Sequence, residues 1–537
     1  MATEAGRALI RIAANYCRLA ASLVLGLTLV RLLLGELGND GYGLIALLGS
    51  TIGLSAFLRD VVRRSMIREL SAAHHSGSES GFRRTYNAAL LLASGVGLMT
   101  IALFGILMLL LPLFRIPEPL LPAARWFVMA KGIELFWLIA LAPSFNMYLV
   151  TERMVEYNAW LVAERAAAVV AAAWITFGNS VHSTAYGIVM YGALSAGLVV
   201  LTMLAASIRI ALTDRRLVPA LRTVDREAFR PLLHIGGWYA AVLLAMNMHL
   251  RLGALIMNLA FGLWWNTVFG LAMTLTSYMR MIATGVTTGL DAVTGRLSSA
   301  HGEQVIRRLV HHSTRLHGVV TFPAALVLLV LAEPLLELWV GGRVEDAAHA
   351  MGPTIALVRI LALGIAVRSI SDGWITILYG AGHIARYAPV VIAGGVVSPL
   401  LAIGLLAVLP EPARYTAVAW SFSAIMLVVH GGLVPWIAAR TLQMRTWQLI
   451  GPLWRPMATT LVCAPILLVA AQRIQAWTLL HLVVVVGVFC AIYGVLVFLF
   501  VADRQERHRL IDAVFRRARE RLSARSSGQC PDDRNRH

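Results

Sequence analysis

Residues 477–502 read WTLLHLVVVVGVFCAIYGVLVFLFVA, a run that contains no Asp, Glu, Lys or Arg. The hydrocarbon core of a bilayer needs about 20 apolar residues per helix, so this run predicts a transmembrane helix. Of the 537 residues in the chain, 58% are hydrophobic and only 14% are charged, and the mean hydropathy is +0.74. This composition excludes a soluble globular protein, because too few polar residues are available to cover its surface.

Comparable apolar runs, each bounded by turn or charged residues, recur along the whole chain. They predict an all-α polytopic membrane protein with about fourteen transmembrane helices. The runs lie at residues 9–34, 41–58, 85–114, 123–149, 157–178, 185–208, 232–260, 264–291, 317–339, 354–380, 387–409, 415–438, 456–472 and 477–502. The second and thirteenth runs are the shortest, and without them the chain would have about twelve helices.

Arginine is unevenly distributed between alternate connections of the predicted helices. The arginine-rich connections are 59–84, 209–230, 296–315 and 440–455, whereas 36–40, 178–183 and 341–353 contain almost none. Basic residues favour the cytoplasmic side of a membrane protein, so both termini are predicted to be cytoplasmic in a protein of the cytoplasmic (inner) membrane. The net charge of +18 is therefore interpreted as a topology signal and not as nucleic-acid binding.

A short pattern occurs twice at equivalent places. Leu70-Ser-Ala-Ala-His74 precedes Phe82-Arg-Arg84, and Leu297-Ser-Ser-Ala-His301 precedes Ile306-Arg-Arg308. The repeat favours two pseudo-symmetric six-helix lobes plus two C-terminal helices, although chance similarity is the alternative. The predicted units are an N-terminal lobe at 1–212, a C-terminal lobe with a basic linker at 213–440, two additional helices at 441–502 and a cytoplasmic basic amphipathic tail at 503–537.

Three arginines lie deep in the apolar runs without an acidic partner on their own helix. A charge at the centre of a membrane helix costs about 2.5–3.5 kcal/mol, so such residues normally face a cavity or a partner. Arg18 shares a helix face with Asn15, Arg251 shares one with Asn247, and Arg280 lies near the middle of the eighth run. Because the guanidinium fork matches phosphate oxygens, these five residues are predicted to bind an anionic substrate.

Other charged residues in the runs have simpler interpretations. Lys131 with Glu134, at a spacing of three residues, and Arg368 with Asp372, at a spacing of four, are predicted to be structural pairs. Arg31 and Arg359 lie near helix ends, where an arginine can extend to the interface. Glu164 is the exception, because its neighbour Arg165 faces another direction. We predict that Glu164 carries a coupling proton.

The beginning of the chain resembles a known family. Arg31-Leu-Leu-Leu-Gly35, Gly41-Tyr-Gly-Leu-Ile-Ala-Leu47 and Arg68-Glu-Leu-Ser71 are similar to the opening of the Wzx-type polysaccharide biosynthesis flippases. These belong to the multidrug/oligosaccharidyl-lipid/polysaccharide exporter superfamily. The sequence departs from the usual form in the distance between Gly35 and Gly41 and in Val61 after Asp60. The resemblance implies transport of an undecaprenyl-pyrophosphate-linked sugar through a cationic lumen.

The predicted function is therefore a flippase for an undecaprenyl-pyrophosphate-linked oligosaccharide that feeds O-antigen, capsule or exopolysaccharide assembly. Its predicted partners are this lipid, membrane lipid and polysaccharide-assembly proteins. A lipid II flippase and a multidrug extruder of the same superfamily are the alternatives within transport. A membrane glycosyl polymerase or ligase is the alternative enzyme. No hydrolase, nucleotide-binding or metal-ligand motif occurs in a usable context, so no catalytic residue, cofactor or metal is predicted.

Overall fold

The computed structural model describes residues 4–178, 183–219, 237–287, 303–344 and 346–503, with single positions at 229, 232, 290, 293, 294, 297, 506 and 507. Within these residues every regular element is a helix, which confirms the predicted all-α polytopic fold. The α-helices are α1 Glu4–His75, α2 Glu79–Leu110, α3 Leu121–Ala140, α4 Ala142–Val150, α5 Met154–Phe177, α6 Thr184–Thr213, α7 Gly237–Phe261, α8 Leu263–Thr284, α9 Glu303–Leu336, α10 Ala347–Gly380, α11 Ile384–Val408, α12 Ala417–Ile425, α13 Val434–Thr441, α14 Thr446–Ile450, α15 Trp454–Arg473 and α16 Leu479–Leu496.

The first two predicted runs form one helical element with a kink. Helix α1 has 72 residues, and Gly38 inside it adopts φ 68° and ψ −174°, which is not helical. A positive φ of this kind is open to glycine because it has no Cβ. Gly38 therefore marks a kink between two helical parts that are each long enough to cross a bilayer.

A helix lies at each of the fourteen predicted runs. Length and hydropathy single out eleven described helices as candidate membrane spans, or twelve when the bent pair α3 and α4 is taken as one span. Two features account for most of the difference from fourteen. Helix α1 contains two predicted runs, and α8 carries Trp264, Asn266 and Arg280 and is not among those candidates. The total of fourteen spans stays a prediction.

The predicted end of the second run is wrong by several turns. The helix continues past residue 58 to His75, so Arg59 and Arg63 belong to α1 and not to a loop. Arg59 pairs with Glu164, and the Arg63 guanidinium lies 5.4 Å from the centre of the Tyr157 ring. These contacts with α5 stabilise the part of α1 that follows the apolar run.

The helices pack as two groups that share α1. Helices α2 to α6 surround α1, while α7 packs on α11 and α10 packs on α8 and α9. We refer to α1–α6 as the N-terminal half and to α7–α13 as the C-terminal half. Both α7 and α8 also contact α1, so α1 forms the interface between the halves. The last two long helices, α15 and α16, pack on α9 through a separate apolar cluster.

The two halves are in close contact at one end of the molecule, which we call the Gly38 end. Four hydrogen bonds join them toward this end: Arg115 Nη1 to Leu259 O (2.8 Å), Asn258 Nδ2 to Phe114 O, Thr267 Oγ1 to Asn39 O (2.5 Å) and Trp339 Nε1 to Leu27 O (2.9 Å). Gly43 lies directly against the Leu263 carbonyl group. The structure is therefore closed between the halves at the Gly38 end.

Most of the predicted tail helix lies outside the described residues, as do residues 298–302 of the second repeat. The described start of the tail is held by Arg315 of α9, which is buried and donates to Asp503 at 2.7 Å and to Glu506. The hydrogen bond from Arg315 also lowers the pKa of Asp503. The boundaries at residues 212, 440 and 502 stay predictions.

The predicted topology can be tested by cysteine labelling from each side of the membrane. Ser78→Cys, Val218→Cys and Gln529→Cys should react from the cytoplasm, and Asp40→Cys from outside, because arginine-rich connections stay inside. Ser78, Val218 and Asp40 are exposed at their positions. Reaction of Asp40→Cys and Ser78→Cys from the same side would contradict the assignment of the first two spans.

Candidate functional site

Arg18 and Asn15 lie on one face of α1, as their spacing predicts. Arg18 Nη2 donates a hydrogen bond of 2.8 Å to Asn15 Oδ1. Arg18 Nε is buried and has no hydrogen-bond partner among the described residues. Among the described side chains, Tyr157, Arg63 and Arg165 act electrostatically on Arg18, and the two arginines are cationic. Arg18 therefore has one neutral partner and an electrostatic environment that favours an anion.

Glu164 of α5 is not a free carboxylate. Both of its oxygens accept from the Arg59 fork, with Nη1 to Oε1 at 3.1 Å and Nη2 to Oε2 at 3.3 Å. This two-bond geometry is the strong form of an arginine–carboxylate pair. The pair ties the second part of α1 to α5. A proton could reach Glu164 only with the loss of this pair.

Arg165 is the residue that sequence reasoning missed. Its position next to Glu164 indicated only that the two side chains face different directions, because successive residues of an α-helix point about 100° apart. Glu164 pairs with Arg59. The Arg165 side chain is exposed and acts electrostatically on Arg18 of α1, Arg251 of α7 and Tyr278 of α8. Arg165 is thus placed between the two halves.

Arg251 of α7 contacts the N-terminal half at Gly53 of α1. A Cβ on Gly53 would lie 2.8 Å from Arg251 Cζ, so the guanidinium packs against the bare backbone of α1. Arg251 Nε is buried and has no hydrogen-bond partner among the described residues. Asn247, predicted to act with it, donates instead to Leu243 O of its own helix at 2.9 Å.

Arg280 of α8 has no acidic partner on its own helix, as expected, but it pairs with a carboxylate of another helix. Its Nε and Nη2 donate to Asp372 Oδ2 at 3.3 and 3.2 Å. The partner lies on α10, 92 residues away in sequence, and so could not be found on α8 itself. The predicted pair of Arg368 with Asp372 is confirmed at 2.8 Å, so one carboxylate serves two arginines.

Two histidines, which the sequence pattern did not identify as interior polar residues, complete the polar interior of the C-terminal half. His430 is buried and contacts Arg368 Nη1 at 2.8 Å through Nε2, and the Ser371 hydroxyl group at 3.0 Å through Nδ1. His249 is buried, with 6% of its surface exposed. It lines two small cavities, one of which is also lined by Arg280 and Arg368.

Among the described residues, the junction of the two halves has a large excess of positive charge. Seven arginines are grouped around the junction of the halves, and only two carboxylates pair with them. The arginines are Arg18, Arg59, Arg63, Arg165, Arg251, Arg280 and Arg368, and the carboxylates are Glu164 and Asp372. Arginine forks in a partly desolvated site bind phosphate and carboxylate groups well. The arrangement is suited to a polyanionic group and not to an organic cation.

The remaining predicted charges lie apart from this cluster. Lys131 pairs with Glu134, which confirms the predicted structural pair. Arg359 is exposed and donates to Leu329 O at 3.0 Å, and Arg31 is exposed on α1. These two exposed arginines serve as controls for the cluster.

No family model matches the sequence, and no curated protein matches it either. Solved structures do match. A structure described as lipid II flippase MurJ in an inward closed conformation superposes with a TM-score of 0.67 at 11% identity, covering 91% of this chain and 98% of that one. An inward-facing multidrug resistance MATE family transporter of the MOP superfamily gives 0.61 at 15% identity, covering 79% and 95%.

A third match is a MOP superfamily transporter from Pyrococcus furiosus, whose description reports a binding pocket of reversed polarity. It gives a TM-score of 0.57 at 14% identity, covering 85% of this chain and 96% of that one. All three matches extend over most of both chains, although their identities are low. The chain therefore has the polytopic helical fold of these MOP-superfamily transporters, with an arginine-rich interior where its two halves meet.

Proposed function

We propose that the protein is a flippase of the MOP superfamily, of the Wzx type, for an undecaprenyl-pyrophosphate-linked oligosaccharide in the cytoplasmic membrane. The observation that supports the proposal is the set of seven arginines against two carboxylates around the junction of the two halves, among the described residues. A pyrophosphate supplies several oxygens to guanidinium forks contributed by both halves. We propose that the Gly38 end is the outer side. Because the halves are closed there, the substrate would enter from the cytoplasmic side, and transport would proceed by alternating access.

The charge of the interior also separates the alternatives. A multidrug extruder that holds organic cations needs unpaired acidic groups, whereas Glu164 and Asp372 are both bound by arginine. A lipid II flippase needs the same cationic interior and is the second candidate, supported by the MurJ match. A polymerase or ligase would need catalytic residues in a large outer loop, and the described connection between α9 and α10 is short.

The test is transport by purified protein in liposomes with three cargoes. An undecaprenyl-pyrophosphate-linked oligosaccharide should cross the bilayer in a protein-dependent manner, and a cationic dye should not. Lipid II serves as the third cargo, because it shares the pyrophosphate but differs in its sugars. Preferential transport of lipid II would assign the second candidate, and transport of the dye alone would contradict the proposal.

Glu164 is proposed as the coupling residue, with Arg59 as its partner. Glu164→Gln keeps the shape of the side chain but cannot take up a proton, so transport should depend less on a pH gradient while substrate binding is retained. The measurement is flipping in liposomes with and without an imposed gradient. Glu156→Gln is the control, because Glu156 lies near the start of the same helix and pairs with Arg209 of α6. An unchanged gradient dependence in Glu164→Gln would remove Glu164 as the coupling residue.

A further inference from the structure

Asp372 binds its two arginines unequally. Arg368 Nη2 contacts Oδ1 at 2.8 Å, whereas Arg280 reaches only Oδ2, through two long contacts of 3.2 and 3.3 Å. Hydrogen bonds between charged groups are normally about 2.7–2.9 Å, so the contact with Arg280 is the weaker one. The carboxylate is thus anchored on α10 and only loosely holds the arginine of α8.

Arg368 is also more deeply buried than Arg280. The Arg368 side chain is 6% exposed and is further held by His430 and by the sulfur of Met246. The Arg280 side chain is 28% exposed and acts electrostatically on Arg251, one of the arginines between the halves. Arg368 is fixed in the fold, and Arg280 is the partner that an incoming anion can reach.

We propose that Asp372 is an internal counter-ion that Arg280 exchanges for a phosphate group of the lipid substrate. This inference rests on the proposed function. Carboxylate and phosphate oxygens are equivalent acceptors for a guanidinium fork, so the phosphate can replace Oδ2 without a change at Arg368. On release, Asp372 recaptures Arg280. A competitor of this kind weakens ground-state binding and speeds release, which keeps a strongly cationic site from retaining its cargo.

Asp372 is accordingly a positioning residue, and its neutral variant should bind more tightly while it turns over more slowly. Asp372→Asn is expected to bind farnesyl diphosphate about fivefold more tightly, the effect of removing a partly exposed ion pair. In flipping assays, the KM and the maximal rate should both fall. Asp372→Glu restores the carboxylate and should lie near wild type. Binding of farnesol, which lacks the diphosphate, should be equal in all variants.

Glu134→Gln is the matched control. Glu134 is a carboxylate of similar exposure, paired with Lys131 in the N-terminal half. A purely structural role of Asp372 predicts that Asp372→Asn and Glu134→Gln both lower the melting temperature without tightening diphosphate binding. Equal or weaker farnesyl diphosphate binding by folded Asp372→Asn would overturn the exchange. Wild-type protein that does not prefer farnesyl diphosphate over farnesol would overturn the proposed function itself, and the exchange with it.

Asp372→Asn leaves Arg368 buried with an uncompensated charge, which can prevent folding. The double variant Arg368→Gln, Asp372→Asn removes both charges and still frees Arg280. Its reference is the double variant Arg368→Gln, Asp372→Glu, which keeps a carboxylate at position 372. The Asn-containing double variant should bind farnesyl diphosphate about fivefold more tightly than this reference. Equal binding by the two double variants would likewise overturn the exchange.

Discussion

Flipping of a lipid-linked oligosaccharide by the Arg18→Ala, Arg280→Ala double variant should fall about a hundredfold or more. Each arginine supplies charge-assisted hydrogen bonds to the pyrophosphate from a different half, and each such bond contributes about 1.5–3 kcal/mol. Single alanine variants should lose about tenfold. Lysine at either position keeps the charge but not the planar fork, so it should retain part of the activity. The measurement is flipping by purified protein in liposomes.

The structure indicates that these variants should fold. Without Arg280, Asp372 keeps its shorter bond to Arg368, and without Arg18 the hydrogen bond lost is one to the neutral Asn15 side chain. The control is the double variant Arg31→Ala, Arg359→Ala, which removes two exposed arginines from α1 and α10 and should transport normally. Near-normal flipping by the Arg18→Ala, Arg280→Ala protein would contradict the assigned binding site. If the variants have a lower melting temperature but the same flipping rate per folded molecule, these arginines have a structural role.

Gly43→Ala should open the Gly38 end of the protein. A Cβ at this position would lie 2.2 Å from the Leu263 carbonyl oxygen and 2.9 Å from Thr267 Oγ1, so the halves could not approach as they do. Overpacking of this kind costs about 1–3 kcal/mol, which shifts the closed population by roughly five- to more than a hundredfold. Transport should fall accordingly, because alternating access requires closure at each end.

The expected opening can be measured with a cysteine at a nearby buried position. Asn39 is 3% exposed, so Asn39→Cys, in a background without the native cysteines, should react slowly with an impermeant maleimide. Gly43→Ala should raise this rate. Gly49→Ala is the control on the same helix, because a Cβ there meets no described atom within 4 Å. Equal labelling in the two alanine variants would show that the close contact at Gly43 does not hold this end closed.

Several features followed from local pattern alone. Apolar runs of about 20 residues specify membrane helices whatever their neighbours are, so a helix was found at every predicted run. Pairs three or four residues apart, such as Lys131 with Glu134 and Arg368 with Asp372, share a helix face and meet as soon as the helix forms. The face that carries Asn15 and Arg18 follows from the same periodicity.

Contacts between helices were decided only by the tertiary structure. Arg59 meets Glu164 across 105 residues, and Arg280 meets Asp372 across 92, because these pairs depend on how each helix is rotated and packed. The same packing leaves Arg165 exposed between the halves and places Gly43 against Leu263. The sequence by itself determined a membrane protein with buried arginines. Which arginines are neutralised and which can meet an anion was set by packing between distant helices, which a helical period does not encode.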